Sequence, residues 1–160
     1  MRFHLVDRIL DVEPGRRLRA VKLLTLAEEY LADHFPTFPV MPGVLQLQAL
    51  VEAGAWLMRL SEDYSRSVWV LREARAVKYG TFVSPGQRLE LTVELMSQEG
   101  STAKLKGRGE VAGVQTVSAQ VVLAGYNLRD RNPAWAERDK QLVRHLRSRG
   151  ELLRSAGVVR

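Results

Sequence analysis

A chain of 160 residues, 46% hydrophobic and 26% charged, suits one domain with an appendage and is too apolar for disorder. The absence of cysteine excludes disulfides, thiolate metal sites and cysteine nucleophiles, and leaves the redox compartment open. Residues 1 to 126 sum to +1 and residues 127 to 160 to +5, so the basicity belongs to the tail and says little about what the body binds.

The N-terminus "MRFHLVDRIL" lacks a basic region followed by a long apolar run, and no apolar stretch approaches membrane-spanning length, so a cytoplasmic location without membrane contact is expected. Two strands follow around a turn: "RILDV", the turn "EPGRR" with Pro14 and Gly15, and "LRAVKLLTL". Residues 26 to 32 suggest a short helical turn. Three prolines between residues 33 and 42 predict a stiff, extended loop, because proline fixes its own φ and restricts its predecessor.

Residues 43 to 60 form the one long helical candidate of the body. Apolar residues cover nearly all its sides, which predicts a core helix enclosed by other structure. Four strands are then expected in succession: "SVWVLREARAVKYG", "QRLELTVELMS", "STAKLKGRGEVAG" and "VQTVSAQVVLAGY". Strand, strand, buried helix and four strands does not alternate as a parallel βαβ protein would. An α+β fold is expected, with a mostly antiparallel sheet wrapped around one helix.

Beyond Tyr126, Asn132-Pro133 offers a turn and a proline at a first helical position, and Trp135, Leu142, Val143, Leu146 and Leu153 recur at near-helical spacing. We read residues 127 to 160 as a basic helical extension docking its apolar stripe on the body, with solvated arginines and Trp135 as anchor. Nucleic-acid binding through this tail is the disfavoured alternative. Gly150 weakens the helix near its end.

Within the core helix, Gln48 and Glu52 sit one turn apart on one face and Gln46 on nearly the opposite side. A buried carboxylate costs several kcal/mol unless it is paired or protonated. Glu52 is therefore a candidate general acid, or else the partner of an arginine such as Arg72 or Arg75. Gly43 stands near the helix start, where backbone N–H groups lack internal partners and the dipole favours negative charge, a candidate oxyanion hole. His34, in the stiff loop just before, is a candidate base, and together these groups suit proton abstraction α to a carbonyl. His4 and His145 lie elsewhere in the chain and are read as structural.

The stretch "DHFPTFPVMPGVLQLQALVEA", with "LVDRILDVEPG" upstream and "VKYGTFVSPGQRLELTVEL" downstream, resembles the β-hydroxyacyl-acyl-carrier-protein dehydratases of the FabZ/FabA type. The likeness spans nearly all of residues 1 to 126. It implies a hotdog fold for residues 1 to 126, a long helix wrapped by an antiparallel sheet. It also implies homodimers whose sheets join, often assembled further into hexamers as trimers of dimers, with the active site at the dimer interface. The acyl substrate would arrive on the phosphopantetheine arm of acyl carrier protein.

By position, the resemblance makes His34 the base that removes the α-proton of a 3-hydroxyacyl thioester. The Gly43 N–H would bind the thioester oxygen, and a carbonyl near Val40 would orient the imidazole. Phe35, Pro36, Val40 and Pro42 would line the substrate site. No cofactor and no metal is implied. The family's acid stands fourteen residues after the histidine, with a glutamine commonly one turn later; here Gln48 comes first and Glu52 second. Thr37 stands where the family commonly has glycine.

The exchange leaves two readings. Glu52 supplies the proton, directly or through water, from a place about 5 to 6 Å further along the helix; or dehydration is lost and the chain is an acyl-thioester-binding subunit. The first is favoured, since an apolar residue would occupy a purely structural site at lower cost. A hotdog thioesterase is the alternative among enzymes.

Overall fold

The computed structural model describes residues 4 to 155; the first three residues and the last five of the expected extension lie outside the described residues. Six strands form one antiparallel sheet: β1 (Arg8–Glu13), β2 (Arg17–Leu23), β3 (Val68–Tyr79), β4 (Arg88–Glu99), β5 (Thr102–Val111) and β6 (Val114–Tyr126). Their spatial order is β1-β2-β4-β5-β6-β3. The helix α1 (Gly43–Ser61) packs against β2 to β6. A sheet holding one long helix is the architecture the resemblance implies.

Alternation decides which face of the sheet meets the helix. Leu89, Leu91 and Val93 of β4 are buried, as are Ala103, Leu105, Gly107 and Gly109 of β5, while Lys104, Lys106 and Arg108 point to solvent. Val93, Gly107 and Ala119 are paired across three strands. A Cβ on Gly107 would lie 3.3 Å from the Leu50 side chain. The small residue thus lets α1 settle close onto the sheet, where dispersion contacts are densest.

The strand after the Pro14-Gly15 turn ends at Leu23, short of the expected Leu26, and Leu24 turns into the core. The expected helical turn is a 3-10 turn, Glu29–Ala32. As expected, α1 is a core helix, and its polar face is an open stripe: Val44 and Gln48 are exposed and Glu52 is half-buried. The sheet covers the opposite side, where Gln46 is buried and its Nε2 donates to the Met41 carbonyl at 3.5 Å.

After β6 comes a short helix, α2 (Leu128–Arg131), with a capping box between Asn127 and Asp130. Asn132 caps the 3-10 turn Pro133–Trp135, and α3 (Ala136–Ser155) follows. Trp135 is 39% exposed, so it is not the anchor expected. Asp139, Gly150 and Leu153 are the buried residues of α3 instead. Asp139 accepts the Leu128 N–H at 2.8 Å, and Arg147 pairs with Asp63 at 2.6 Å.

Gly150 does not break α3. A Cβ there would lie 2.2 Å from the Tyr64 hydroxyl and 3.2 Å from the Trp56 ring, so the missing side chain permits close approach to the C-terminal end of α1. The intrinsic helix cost of glycine, about 1 kcal/mol, is offset by that packing.

Candidate active site

The loop carrying His34 is held by its own backbone. His34 N–H donates to the Tyr30 carbonyl at 3.1 Å, Val40 N–H to the His34 carbonyl at 3.1 Å, and Met41 N–H to the Val83 carbonyl at 2.8 Å. Val40 and Met41 are buried, whereas Phe35 and Pro36 are exposed and His34 and Pro42 are half-buried. The Phe35 ring stacks on the imidazole at 4.2 Å, and Phe38 meets Phe82 edge-on.

The imidazole Nδ1 lies 2.9 Å from the Val40 carbonyl oxygen. A carbonyl can only accept, so Nδ1 carries the hydrogen and the lone pair of neutral His34 is on Nε2. Val40 precedes Gly43 by three residues, a chain path of no more than about 11 Å at ~3.8 Å per link. The ring is therefore tethered near the start of α1.

Pro42 precedes the first turn of α1, and Leu45 and Gln46 donate to its carbonyl. The N–H groups of Gly43 and Val44 have no acceptor within the helix. A Cβ on Gly43 would lie 2.9 Å from the Tyr79 ring of β3, so glycine there lets an aromatic ring from an edge strand cover the helix start.

Gln48 and Glu52 share a cleft of about 280 Å³ that opens between α1 and α3. Glu52 is not clamped by Arg72 or Arg75: Arg75 pairs with Glu73 at 2.6 Å. Instead, Glu52 Oε2 accepts the N–H of Leu5 at 2.8 Å. The carboxylate that looked buried is half-buried, and its partner is a backbone donor 47 residues away.

Neither His34 nor Gly43 lines this cleft. One protomer thus holds the candidate base with the candidate oxyanion hole, and Gln48 with Glu52, in separate places. Four residues missed in the sequence join the second group: His4, Arg59, His145 and Arg149. Arg59 was within reach, since it stands seven residues after Glu52 on the same helix face. Burial lowers the pKa of its guanidinium, and the Glu52 carboxylate opposes that shift. The others come from the N-terminal segment and α3, which no local pattern connects to α1.

Among the described residues, no group of three or more His, Cys, Asp or Glu is disposed to hold a metal ion, and no helix is long and apolar enough to cross a membrane.

Residues 1–120 match the family model described as a FabA-like domain. The chain is 40% identical over 121 residues to the 3-hydroxyacyl-[acyl-carrier-protein] dehydratase FabZ of Anaeromyxobacter sp. (strain K), covering 74% of this chain and 78% of the relative. It is 39% identical over 120 residues to the protein of the same name from Bacillus subtilis (strain 168), covering 75% and 81%. In shape it resembles the dehydratase heterocomplex ApeI:P from Xenorhabdus doucetiae, with a TM-score of 0.67, 14% identity and coverage of 83% and 90%. It also resembles smu.793 from Streptococcus mutans UA159 bound to acetyl CoA, with a TM-score of 0.58, 12% identity and coverage of 78% and 92%. These two likenesses concern the hotdog fold alone.

Proposed function

The chain belongs to the FabA-like domain family, and on that premise we propose that it removes water from 3-hydroxyacyl thioesters borne on acyl carrier protein, giving trans-2-enoyl thioesters for fatty-acid or related lipid or polyketide synthesis. Residues 1 to 126 are the catalytic domain in this reading and residues 127 to 160 its extension, at work in the cytoplasm.

The observation that carries the proposal is the 2.9 Å contact of His34 Nδ1 with the Val40 carbonyl. It leaves Nε2 as the proton acceptor for the substrate's α-carbon. As that proton leaves, negative charge grows on the thioester oxygen, where the Gly43 N–H and the helix dipole stabilise it. The C–O bond to the 3-hydroxyl then breaks, and the departing oxygen takes a proton from Glu52, directly or through one water. Glu52 Oε2 is engaged with Leu5, so Oε1 is the oxygen that carries the proton. Gln48 donates a hydrogen bond to the hydroxyl but has no proton to give. Phe35, Pro36, Val40 and Pro42 shape the entry beside the imidazole.

The separation of His34 from Glu52 within one protomer favours a homodimer in which each site combines the imidazole of one subunit with the acid of its neighbour. The edge strand β3 exposes Val70, Leu71 and Tyr79, and the His34 loop region exposes Phe35, Phe38 and Phe82. Apolar surface of this kind, beside unpaired strand hydrogen-bonding groups, suits a second copy. Three such pairs would make a hexamer.

One observation favours a second reading. The Leu5 N–H bond gives Glu52 a structural task, as expected of an acyl-thioester-binding subunit without dehydratase activity. The deciding experiment incubates the purified protein with 3-hydroxyacyl and trans-2-enoyl thioesters and follows loss or gain of water. Enoyl product supports the dehydratase, release of free thiol supports a thioesterase, and binding without turnover supports the subunit.

A further inference from the structure

The cleft between α1 and α3 that holds Glu52 also carries two guanidiniums that dehydration does not use. From α1 it takes Gln48, Glu52 and Arg59, which stand on one helical stripe. From α3, outside the residues 1–120 matched by the family model, it takes His145 and Arg149, one turn apart. Its one carboxylate among the described residues, Glu52, is engaged by the Leu5 N–H. Arg59 Nε is buried without a hydrogen-bond partner among the described residues, although its guanidinium lies over the Trp56 ring at 5.2 Å. Among the basic residues of α3, Arg144, Arg147 and Lys140 make ion pairs, and Arg149 makes none among the described residues.

A plain alkyl chain in this cleft would strip water from two guanidiniums and return nothing. An anionic oxygen group would return charge-assisted, bidentate hydrogen bonds. Position along the helix says which end of a ligand that group occupies. Arg59 follows Glu52 by seven residues on the same helical stripe, about 10 Å at ~1.5 Å per residue. A substrate whose 3-hydroxyl reaches Glu52, with its thioester held at Gly43 of the neighbouring protomer, would therefore extend the far end of its acyl group towards Arg59 within the same cleft.

We infer that Arg59 and Arg149 form a recognition site for a carboxylate at the distal end of the acyl group, so that the preferred substrates are carboxylate-terminated acyl thioesters. The identity of the ligand's other end rests on the acyl-thioester function proposed above.

The test uses the full chain and N-acetylcysteamine thioesters of 3-hydroxyacyl groups, ending in methyl or carboxylate, at matched lengths across a length series. The parent protein is expected to show a lower KM for the carboxylate-ended member at one length. Arg149→Leu, on the outer helix, is expected to raise the ratio of carboxylate-ended to methyl-ended KM about tenfold with kcat little changed. Arg149→Lys should recover part of that loss. A parent that prefers the methyl-ended series throughout, or a ratio untouched by Arg149→Leu, overturns the inference. A parallel pair, methyl-ended chains on pantetheine and on phosphopantetheine, probes the other anion source. An Arg149→Leu effect confined to the phosphate-bearing arm also overturns the inference. Should the parent turn over none of these thioesters, the dehydratase reading fails by itself, and calorimetric binding of the two enoyl series decides the cleft. Tighter binding of the carboxylate-ended series, weakened by Arg149→Leu, sustains the site, and equal binding overturns it.

Discussion

The N–H of Leu5 donates to Glu52 Oε2 at 2.8 Å, joining the N-terminal segment to the middle of the central helix. Glu52→Gln keeps an oxygen acceptor for that N–H but removes the proton that the proposed mechanism gives to the leaving hydroxyl. We expect a fall in kcat of about 10²-fold with the midpoint of urea denaturation nearly unmoved. Parent-like turnover would show that Glu52 is not the relocated acid.

Glu52→Ala removes the acceptor as well. An amide left without a partner in a partly buried place costs about 1 to 3 kcal/mol. Urea denaturation of Glu52→Ala beside Glu52→Gln should separate that structural cost from the loss of chemistry.

His34→Ala removes the proposed base and is expected to leave the fold intact, since the loop is pinned through backbone groups of Tyr30, Val40 and Val83. Turnover of 3-hydroxyacyl thioesters should fall by about 10²- to 10⁴-fold, with an unchanged circular dichroism spectrum. A variant that keeps most of its rate removes His34 from the mechanism.

Gln48→Glu places a carboxyl group fourteen residues after the histidine. It should raise kcat and rescue Glu52→Gln in the double variant. Steady-state kinetics of the four proteins form a double-mutant cycle, and strict additivity would mean that the two positions do not share a proton.

Gly150→Ala puts a methyl group where the Tyr64 hydroxyl would be 2.2 Å away. We expect a loss of about 1 to 3 kcal/mol and faster hydrogen exchange along α3. The same exchange rates as the parent would show that Tyr64 moves aside without cost.

Much of the architecture was legible because periodicity reports burial. The alternation of Leu89, Leu91 and Val93 marked one sheet face, and the apolar run after Gly43 marked the helix. Register around the loop was equally local: the His34-Phe35-Pro36 start, the Val40 carbonyl and the Pro42-Gly43 helix entry lie within ten residues of chain. Trp135 misled, and the packing role of Gly150 went unread, for a shared reason. Residue type states what a side chain prefers, and neither the partly exposed ring nor the close approach to Tyr64 follows from preference alone.

The sequence by itself determined the order of strands and helix, the imidazole beside the helix start, and the exchange of Gln48 and Glu52, since each depends on residues a few positions apart. Only the tertiary structure decided that Glu52 meets the Leu5 amide, that one stripe of α1 stays uncovered by the sheet, and that α3 brings His145 and Arg149 to face it. A helical pattern records which side seeks burial, but the partner that arrives there is chosen by chain closure over dozens of residues, and no local spacing encodes it.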